Sequence, residues 1–222
     1  MAATCPYNCN GILLALLLPI VIASITEEDK ALILKLHNDF RHQLLRCNVT
    51  GQPPVAGPMP DLKWHDQLAA QAETLSKTCV FHHGGDPNFK IPEFPVSGQN
   101  IAAGGDTLSA INLWMNEYKD YVYDNHTCRR SMCGHYTQVA WAETTHIGCS
   151  VTDCSNVKSF GYKNFYVCNY GPAGNYAGVR PYKKGRKADC RSKASEKTAA
   201  AIFRSPVALC ILFTSIRFLT LW

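Results

Sequence analysis

Histidine positions are the first feature of this sequence that suggests chemistry, because a neutral imidazole serves both as a metal ligand and as a general base. Eight histidines are present among 222 residues. His82, His83 and His135 lie in segments predicted as loops or at a helix start, where a side chain can reach a ligand. A solvated or capping role is expected for four others, which lie in predicted helices or in a glycosylation sequon: His37, His42, His65 and His126.

The segment "GHYTQVAWAETTHIGC", residues 134–149, places His135 between a glycine and side chains that can hydrogen-bond or pack. Catalysis, metal binding and packing are all open roles for it. Standard catalytic patterns are missing from the chain: there is no Gly-x-Ser-x-Gly, no His-Glu-x-x-His, no phosphate-binding glycine loop and no Rossmann fingerprint. The common hydrolase and nucleotide-binding classes therefore lack sequence support.

Cysteine content indicates an oxidising, extracellular compartment. Eleven cysteines are present and no two are spaced as Cys-x-x-Cys, so structural disulfides are favoured over zinc or thiol redox chemistry. The apolar run at residues 12–22 predicts a signal peptide over residues 1–23, with an uncleaved anchor as the alternative. Asn48 and Asn125 begin glycosylation sequons, and nucleic acid is not expected as a partner of a secreted chain.

Positive charge is concentrated near the carboxyl end. The net charge is +5, and residues 180–197 contain eight Lys or Arg side chains against two acids. This stretch suits anionic glycans or lipid headgroups, but a solvated linker over residues 186–205 is favoured. Residues 206–222 are apolar apart from Arg217 and resemble a glycolipid (GPI) anchor signal, so membrane association is expected only through this tail. A plain secreted tail and a membrane span are the alternatives.

Helical periodicity precedes strand patterns along the chain. Thr26, followed by three acids, predicts the start of a first helix with Leu32, Leu36 and Phe40 on its buried face. A second helix is predicted over residues 62–79, and strands are predicted over 146–153 and 165–170. Helices followed by short strands indicate an α+β layer structure.

The third predicted helix, residues 107–121, carries Glu117 at the flank of its apolar stripe. Apolar side chains recur on one face at helical spacing, which predicts that they are buried: Leu108, Ile111, Trp114 and Tyr118.

Two long motifs, "GHYTQVAWAET" (134–144) and "FYVCNYGPAGNY" (165–176), resemble the signatures of the CAP superfamily, which comprises cysteine-rich secretory proteins, antigen 5 and pathogenesis-related 1. The likeness spans residues 26–185 and is greatest to peptidase-inhibitor-16-like and helminth venom-allergen-like members. It implies an α-β-α sandwich with a central antiparallel sheet. By motif it also implies four disulfides: Cys149–Cys168, Cys79–Cys154, Cys128–Cys133 and Cys47–Cys190.

The family's cleft gathers two histidines and two acids, and the resemblance places His83, Glu117 and His135 at three of these positions. The fourth, a glutamate in the family, is Gln99 in this chain. Two imidazoles and a carboxylate are suitable ligands for a divalent metal such as zinc, but an amide adds no charge and transfers no proton. Weak metal binding and a structural polar cluster are therefore equal alternatives.

Members of this family also bind sterols or fatty acids. For this chain the resemblance points to the segment between Cys154 and Cys168, whose aromatic side chains would form a platform: Phe160, Tyr162, Phe165 and Tyr166. Aromatic residues beside strands more often belong to the core.

The sequence and the resemblance together predict a secreted CAP-domain protein that acts by binding a lipid, a sterol or an extracellular protein, without classical catalysis. A metal-assisted or atypical extracellular protease that uses His83, Glu117 and His135 is the alternative. That alternative lacks an activated nucleophile in the sequence.

Overall fold

Residues 25–192 are described by the computed structural model, and within them the helices precede the two longest strands, as predicted. The predicted signal peptide (1–23), the end of the predicted linker and the apolar tail (206–222) lie outside the described residues. Within residues 25–192 the α-helices are α1 (Glu27–Leu45), α2 (Asp66–Ser76), α3 (Thr107–Asn116) and α4 (Gly134–Val139). The strands are β1 (Val55–Ala56), β2 (Lys63–Trp64), β3 (Gly98–Gly104), β4 (Tyr121–Val122), β5 (Thr127–Cys128), β6 (His146–Asp153), β7 (Asn164–Gly171) and β8 (Lys183–Lys184).

Helix α1 begins as the sequence predicts, with Thr26 as its cap. Thr26 Oγ1 accepts the Asp29 N–H (3.0 Å) and the Asp29 carboxylate accepts the Thr26 N–H (3.4 Å), so two donors at the helix start are satisfied. The buried face differs from the predicted one, because Phe40 is buried but Leu32 and Leu36 are only partly buried. The centre of that face is occupied instead by Ile33, His37 and Arg41.

His37 is fully buried, so the solvated or capping role expected for it is wrong. Its Nδ1 lies 2.8 Å from Ile33 O and its Nε2 lies 2.9 Å from Tyr170 Oη. Both ring nitrogens therefore have partners inside the protein, which removes most of the cost of burying a polar ring.

Helix α2 begins at Asp66, four residues later than predicted. The preceding residues Lys63–Trp64 form β2, which pairs with β6. His65 then caps the helix by accepting the Leu68 N–H at Nδ1 (3.3 Å), which confirms its expected capping role.

The central sheet has the strand order β2-β6-β7-β3. Strands β6, β7 and β3 are antiparallel, as the resemblance implies, whereas the short edge strand β2 is parallel to β6. Sequence patterns do not predict β3, because "GQNIAAG" contains two glycines and only one β-branched residue. This strand forms the other edge of the sheet and places Gln99 opposite Asn169 of β7.

Helices cover both faces of the sheet, which confirms the α-β-α sandwich. Helix α2 packs against β6 and β7, and Gly148 allows the close approach, since a Cβ there would lie 2.2 Å from Ala69 N. Helices α1, α3 and α4 pack on the opposite face. Helix α3 buries Ile111 and Trp114, but Leu108 is 45% exposed, contrary to the prediction.

Four disulfides join the pairs that the resemblance implies: Cys47–Cys190, Cys79–Cys154, Cys128–Cys133 and Cys149–Cys168. The first of these and a bond from the Arg191 N–H to Leu45 O (2.8 Å) fasten residues 186–192, the start of the predicted linker, to the end of α1. Within the described residues no helix has the length and apolar character needed to span a bilayer.

Candidate functional site

Glu117 holds His135 at the start of helix α4. One carboxylate oxygen, Oε1, lies 2.6 Å from His135 Nδ1, while Oε2 accepts the backbone N–H groups of His135 (3.0 Å) and Tyr136 (3.1 Å). The first turn of a helix has N–H groups without internal partners, and the helix dipole favours an anion there. Because a carboxylate only accepts, Nδ1 of His135 carries the proton toward Glu117 and Nε2 is left for a ligand.

Arg41 holds the other end of the same helix. The guanidinium is fully buried, and burial lowers its pKa to about 10, which leaves it charged at neutral pH. Its charge at the carboxyl end of α4 and that of Glu117 at the amino end both match the helix dipole. At 2.7 to 3.2 Å it donates to four carbonyl oxygens, those of Pro60, Val139, Trp141 and Thr144.

His83 has a matching arrangement with Gln99. His83 Nδ1 lies 3.2 Å from Gln99 Oε1, an amide oxygen that only accepts, so Nδ1 again carries the proton. The same oxygen accepts the Gly84 N–H (3.0 Å). Among residues 25–192, Nε2 of neither imidazole has a hydrogen-bond partner, so each can bind a ligand.

A chain of side-chain amides determines which way Gln99 points. Its Nε2 donates to Gly84 O (2.8 Å) and Asn169 Oδ1 (3.0 Å), and Asn169 Nδ2 donates in turn to Gln71 Oε1 (3.0 Å). Each bond has one donor and one acceptor, so Gln99 Oε1 faces His83. A glutamate at position 99 would set an anionic oxygen against two acceptors. The prediction from sequence did not include Gln71 or Asn169. The position of Asn169 within the second motif was the one sequence feature that could have indicated it, and Gln71 lies in neither motif.

The two imidazoles face each other across an open cleft. Their ring centroids lie 6.5 Å apart, and Trp114 stacks on His135 at 5.9 Å. His83 is exposed, whereas only 13% of the His135 side chain and 16% of the Glu117 side chain are exposed. Trp114 Nε1 donates to Ile101 O on β3 (3.0 Å), so the sheet edge also fixes this indole. The structure therefore brings together all four side chains that the resemblance implied.

The groups in this cleft that could bind a divalent metal are the two imidazole Nε2 atoms. Within residues 25–192, His, Cys, Asp and Glu side chains form no group of three or more that would hold a metal. Glu117 and Gln99 instead stand behind the imidazoles as hydrogen-bond partners, as in many metal sites. Water or the bound partner would complete the coordination.

A buried hydrogen-bond chain connects the cleft to α1. Asn100 Nδ2 donates to His135 O (3.1 Å) and to Tyr170 Oη (3.2 Å). Since His37 Nδ1 faces the Ile33 carbonyl, Nδ1 donates and Nε2 accepts the Tyr170 hydroxyl. This arrangement requires a neutral His37, and burial lowers its pKa to about 4.

Acid is expected to destabilise the protein through His37. Its pKa is about 4 in the folded protein and 6.5 when exposed, so the unfolded chain binds the proton more readily. The contribution to the free energy of unfolding is complete above pH 6.5 and is lost as the pH falls toward 4, a loss of about 3 kcal/mol. Urea unfolding at pH 7 and pH 4.5 should show a smaller decrease in His37→Gln than in the native protein or in His42→Gln, a surface control. Equal decreases in all three would contradict this assignment.

The four aromatic residues expected to form a lipid platform do not share one surface. Phe160 and Phe165 lie in the core that includes α2, while Tyr166 belongs to the core on the opposite face of the sheet. Only Tyr162 is largely exposed, at 60%. Neighbouring residues on a strand point to opposite faces, so Phe165 and Tyr166 are separated by the sheet itself.

Both sequon asparagines, Asn48 and Asn125, are exposed, as glycan attachment requires.

Known proteins share the sequence and the fold of this chain. A family model described as "CAP: Cysteine-rich secretory protein family" matches residues 34–170. The chain is 38% identical over 173 residues to GLIPR1-like protein 1 of Mus musculus, which covers 74% of this chain and 67% of that protein. It is 40% identical over 171 residues to Venom allergen 5 of Polistes fuscatus, with 72% and 81% covered.

Two solved structures extend this likeness to the fold. Venom allergen-like protein 4 of Schistosoma mansoni has 31% sequence identity and a TM-score of 0.64, with 74% of this chain and all of that chain covered. The crystal structure of NaASP2 with Zn²⁺ has 27% identity and a TM-score of 0.60, with 78% and 95% covered. This protein therefore belongs to the CAP, or cysteine-rich secretory protein, family.

Proposed function

We propose that this protein acts outside the cell by binding, and that its cleft takes a divalent metal of the zinc class through Nε2 of His83 and His135. The observation that carries the proposal is the pairing of each Nδ1 with an acceptor, Glu117 for one imidazole and Gln99 for the other. Histidine ligands in metal sites commonly donate their second ring N–H in this way, which fixes the ring and raises its basicity. NaASP2, a relative of similar fold, was solved with Zn²⁺.

Charge at the cleft predicts weak binding of the metal. Glu117 is the one anion that contacts either imidazole among the described residues, and it is hydrogen-bonded to His135 and to α4. Gln99 contributes a dipole in place of a second negative charge. The site therefore neutralises less of the charge of a divalent cation than a site with two carboxylates does.

Catalysis is less well supported than binding. No hydroxyl or thiol hydrogen-bonds to His83 or His135 among residues 25–192, and all eight cysteines in this range form disulfides. A protease of this geometry would need a metal-bound water as its nucleophile. Gln99 has no proton to give to a leaving group, so the alternative of an atypical protease would depend on a single acid.

An extracellular location is proposed from the covalent structure. Four disulfides within the described residues would not persist in a reducing cytosol. Exposed sequons at Asn48 and Asn125 are consistent with passage through the secretory pathway.

Zinc titration tests the cleft. Calorimetry on the protein secreted by cells that express the full chain should show one zinc bound at neutral pH, with binding weakened at least about tenfold in His83→Gln. His83 is the better first variant, because it is exposed and its loss leaves the contacts of α4 intact. His42→Gln, which changes a surface imidazole paired with Asp61, is the matched control and should bind zinc as the native protein does. No zinc binding, or equal binding in all three proteins, would leave the cleft a structural polar cluster.

A fatty acid or sterol is the second candidate ligand. A surface pocket of about 560 Å³ between α1 and α3 is lined by Leu32, the exposed Leu108 and Tyr166, one of the four aromatic residues expected to contact lipid. These apolar side chains could contact an acyl chain, but three aspartates and Lys163 also line the pocket. Mass spectrometry of an organic extract of the secreted protein would detect such a ligand, and an extract free of lipid would argue against it.

A further inference from the structure

A basic groove separate from the cleft runs along the β1–β8 ribbon. It consists of two adjacent surface depressions of about 1100 and 560 Å³, which share Tyr123, Asp124 and Lys184 in their linings. None of the four cleft side chains lines either depression. The groove is thus a distinct surface that metal binding at the cleft does not explain.

Positive charge extends along the whole groove. The smaller depression has Lys119 and Arg129, the larger has Arg180 and Lys183, and Lys184 lies where they join. All five side chains are exposed, and they outnumber the acids Asp124 and Glu143 in the lining. The cations are therefore spread along a line instead of gathered around one point.

Ordered structure holds these cations in place. Arg180 Nε donates to Tyr123 O (2.8 Å), and its guanidinium lies over the Tyr123 ring at 5.6 Å. Lys119 lies over the Tyr118 ring at 5.8 Å. Lys183 and Lys184 are fixed at the backbone because β8 pairs with β1. Less conformational entropy is lost on binding than if the same charges were carried by a flexible tail.

We propose that this groove binds a linear sulfated polysaccharide of the glycosaminoglycan class. Sulfates repeated along such a chain would meet cations repeated along the groove through charge-assisted hydrogen bonds. A concave surface follows a polymer chain but does not fit a flat bilayer. The disulfides favour an oxidising compartment, where sulfated glycans occur and nucleic acid is not the expected polyanion.

Asp124 is expected to weaken the binding of a sulfated chain to this groove. Its carboxylate lies 2.6 Å from Lys184 Nζ, at the junction of the two depressions, and therefore competes with a sulfate for that cation. Replacing Asp124 with Asn would remove the competitor and one negative charge without changing the size of the side chain. A groove that binds sulfate should gain affinity from this change.

Fluorescence anisotropy with a labelled heparin dodecasaccharide tests the proposal on the secreted protein in 0.15 M NaCl. Lys119→Gln with Lys183→Gln, one change in each half of the groove, should weaken binding about tenfold. Asp124→Asn should tighten it about threefold. Lys90→Gln with Lys158→Gln removes the same charge from exposed positions outside the groove and should change affinity less than twofold.

Three results would overturn the proposal. Equal weakening in the two double variants would show that only net charge matters. Equal binding of poly-glutamate would show that the groove has no preference for sulfated sugars. Binding of phosphatidylserine vesicles that is lost in the Lys119/Lys183 variant would identify a membrane surface as the partner.

Discussion

Replacing Glu117 with alanine is expected to lower the free energy of unfolding by about 4 kcal/mol, because three hydrogen bonds to one largely buried carboxylate are lost together. The change leaves the His135 and Tyr136 N–H groups at the start of α4 without acceptors. It also frees His135 Nδ1, which lies 2.6 Å from Glu117 Oε1. Urea unfolding at pH 7 measures the effect.

Two further variants test whether the loss of stability is specific to the Glu117 carboxylate. In Glu117→Gln one side-chain oxygen still accepts hydrogen bonds, but the charge is lost and the amide N–H₂ faces a donor. We therefore expect about half of the decrease in the free energy of unfolding that Glu117→Ala causes. Glu73→Ala removes a partly exposed carboxylate on α2 that pairs with Lys77 and should cost less than about 1 kcal/mol. A loss below about 1 kcal/mol in Glu117→Ala would mean that α4 does not need this carboxylate.

Replacing Arg41 with leucine should destabilise the protein by about 4 to 5 kcal/mol, enough to reduce the yield of folded protein. The substitution leaves four buried carbonyl oxygens without the donors that now hold them: Pro60, Val139, Trp141 and Thr144. Removing one member of a buried polar network costs more than the average hydrogen bond, since its partners lose their water and gain nothing.

Urea unfolding of Arg41→Leu, Arg41→Lys and Arg130→Leu separates charge from hydrogen bonding. Lysine keeps the charge but cannot reach carbonyls on all sides, so an intermediate loss is expected. Arg130, whose side chain is 82% exposed, is the surface control and should change stability by less than about 0.5 kcal/mol. If Arg41→Leu proved as stable as the native protein, apolar packing would replace the network, as it does for some buried ion pairs.

Local signals in the sequence predict where some helices and strands begin and end. Thr26 and the acids that follow it predict the start of α1, and the capping box is present in the structure. The sequence predicts a strand over residues 146–153, and β6 has the same limits in the structure. Such signals are local, since they depend on residues a few positions apart.

Burial of polar side chains depends on partners far away in the chain. Arg41 is buried because Val139 and Trp141, about a hundred residues later, turn their carbonyls toward it. His37 is buried because Tyr170 supplies a hydroxyl across the core. Helical periodicity depends only on the spacing of apolar residues and contains no information about such partners. A prediction from periodicity therefore assigns the wrong buried face to α1.

The candidate site also combines features that the sequence predicts with features that only the fold determines. Motif resemblance located His83, Gln99, Glu117 and His135, but the direction of each hydrogen bond became clear only from the fold. The amide chain through Asn169 to Gln71 shows why glutamine suits position 99. Strand alternation could have warned from sequence alone that Phe165 and Tyr166 would not lie on one surface.

Both edge strands of the central sheet have features that oppose pairing with a strand of another molecule. One margin, β2, has only two residues and carries the exposed Lys63. The other, β3, has its Ile101 carbonyl occupied by the Trp114 indole. Short, charged or covered edges are how β-proteins avoid intermolecular pairing and amyloid-like growth. The stacking residue of the cleft therefore also helps to prevent this edge of the sheet from pairing with a second molecule.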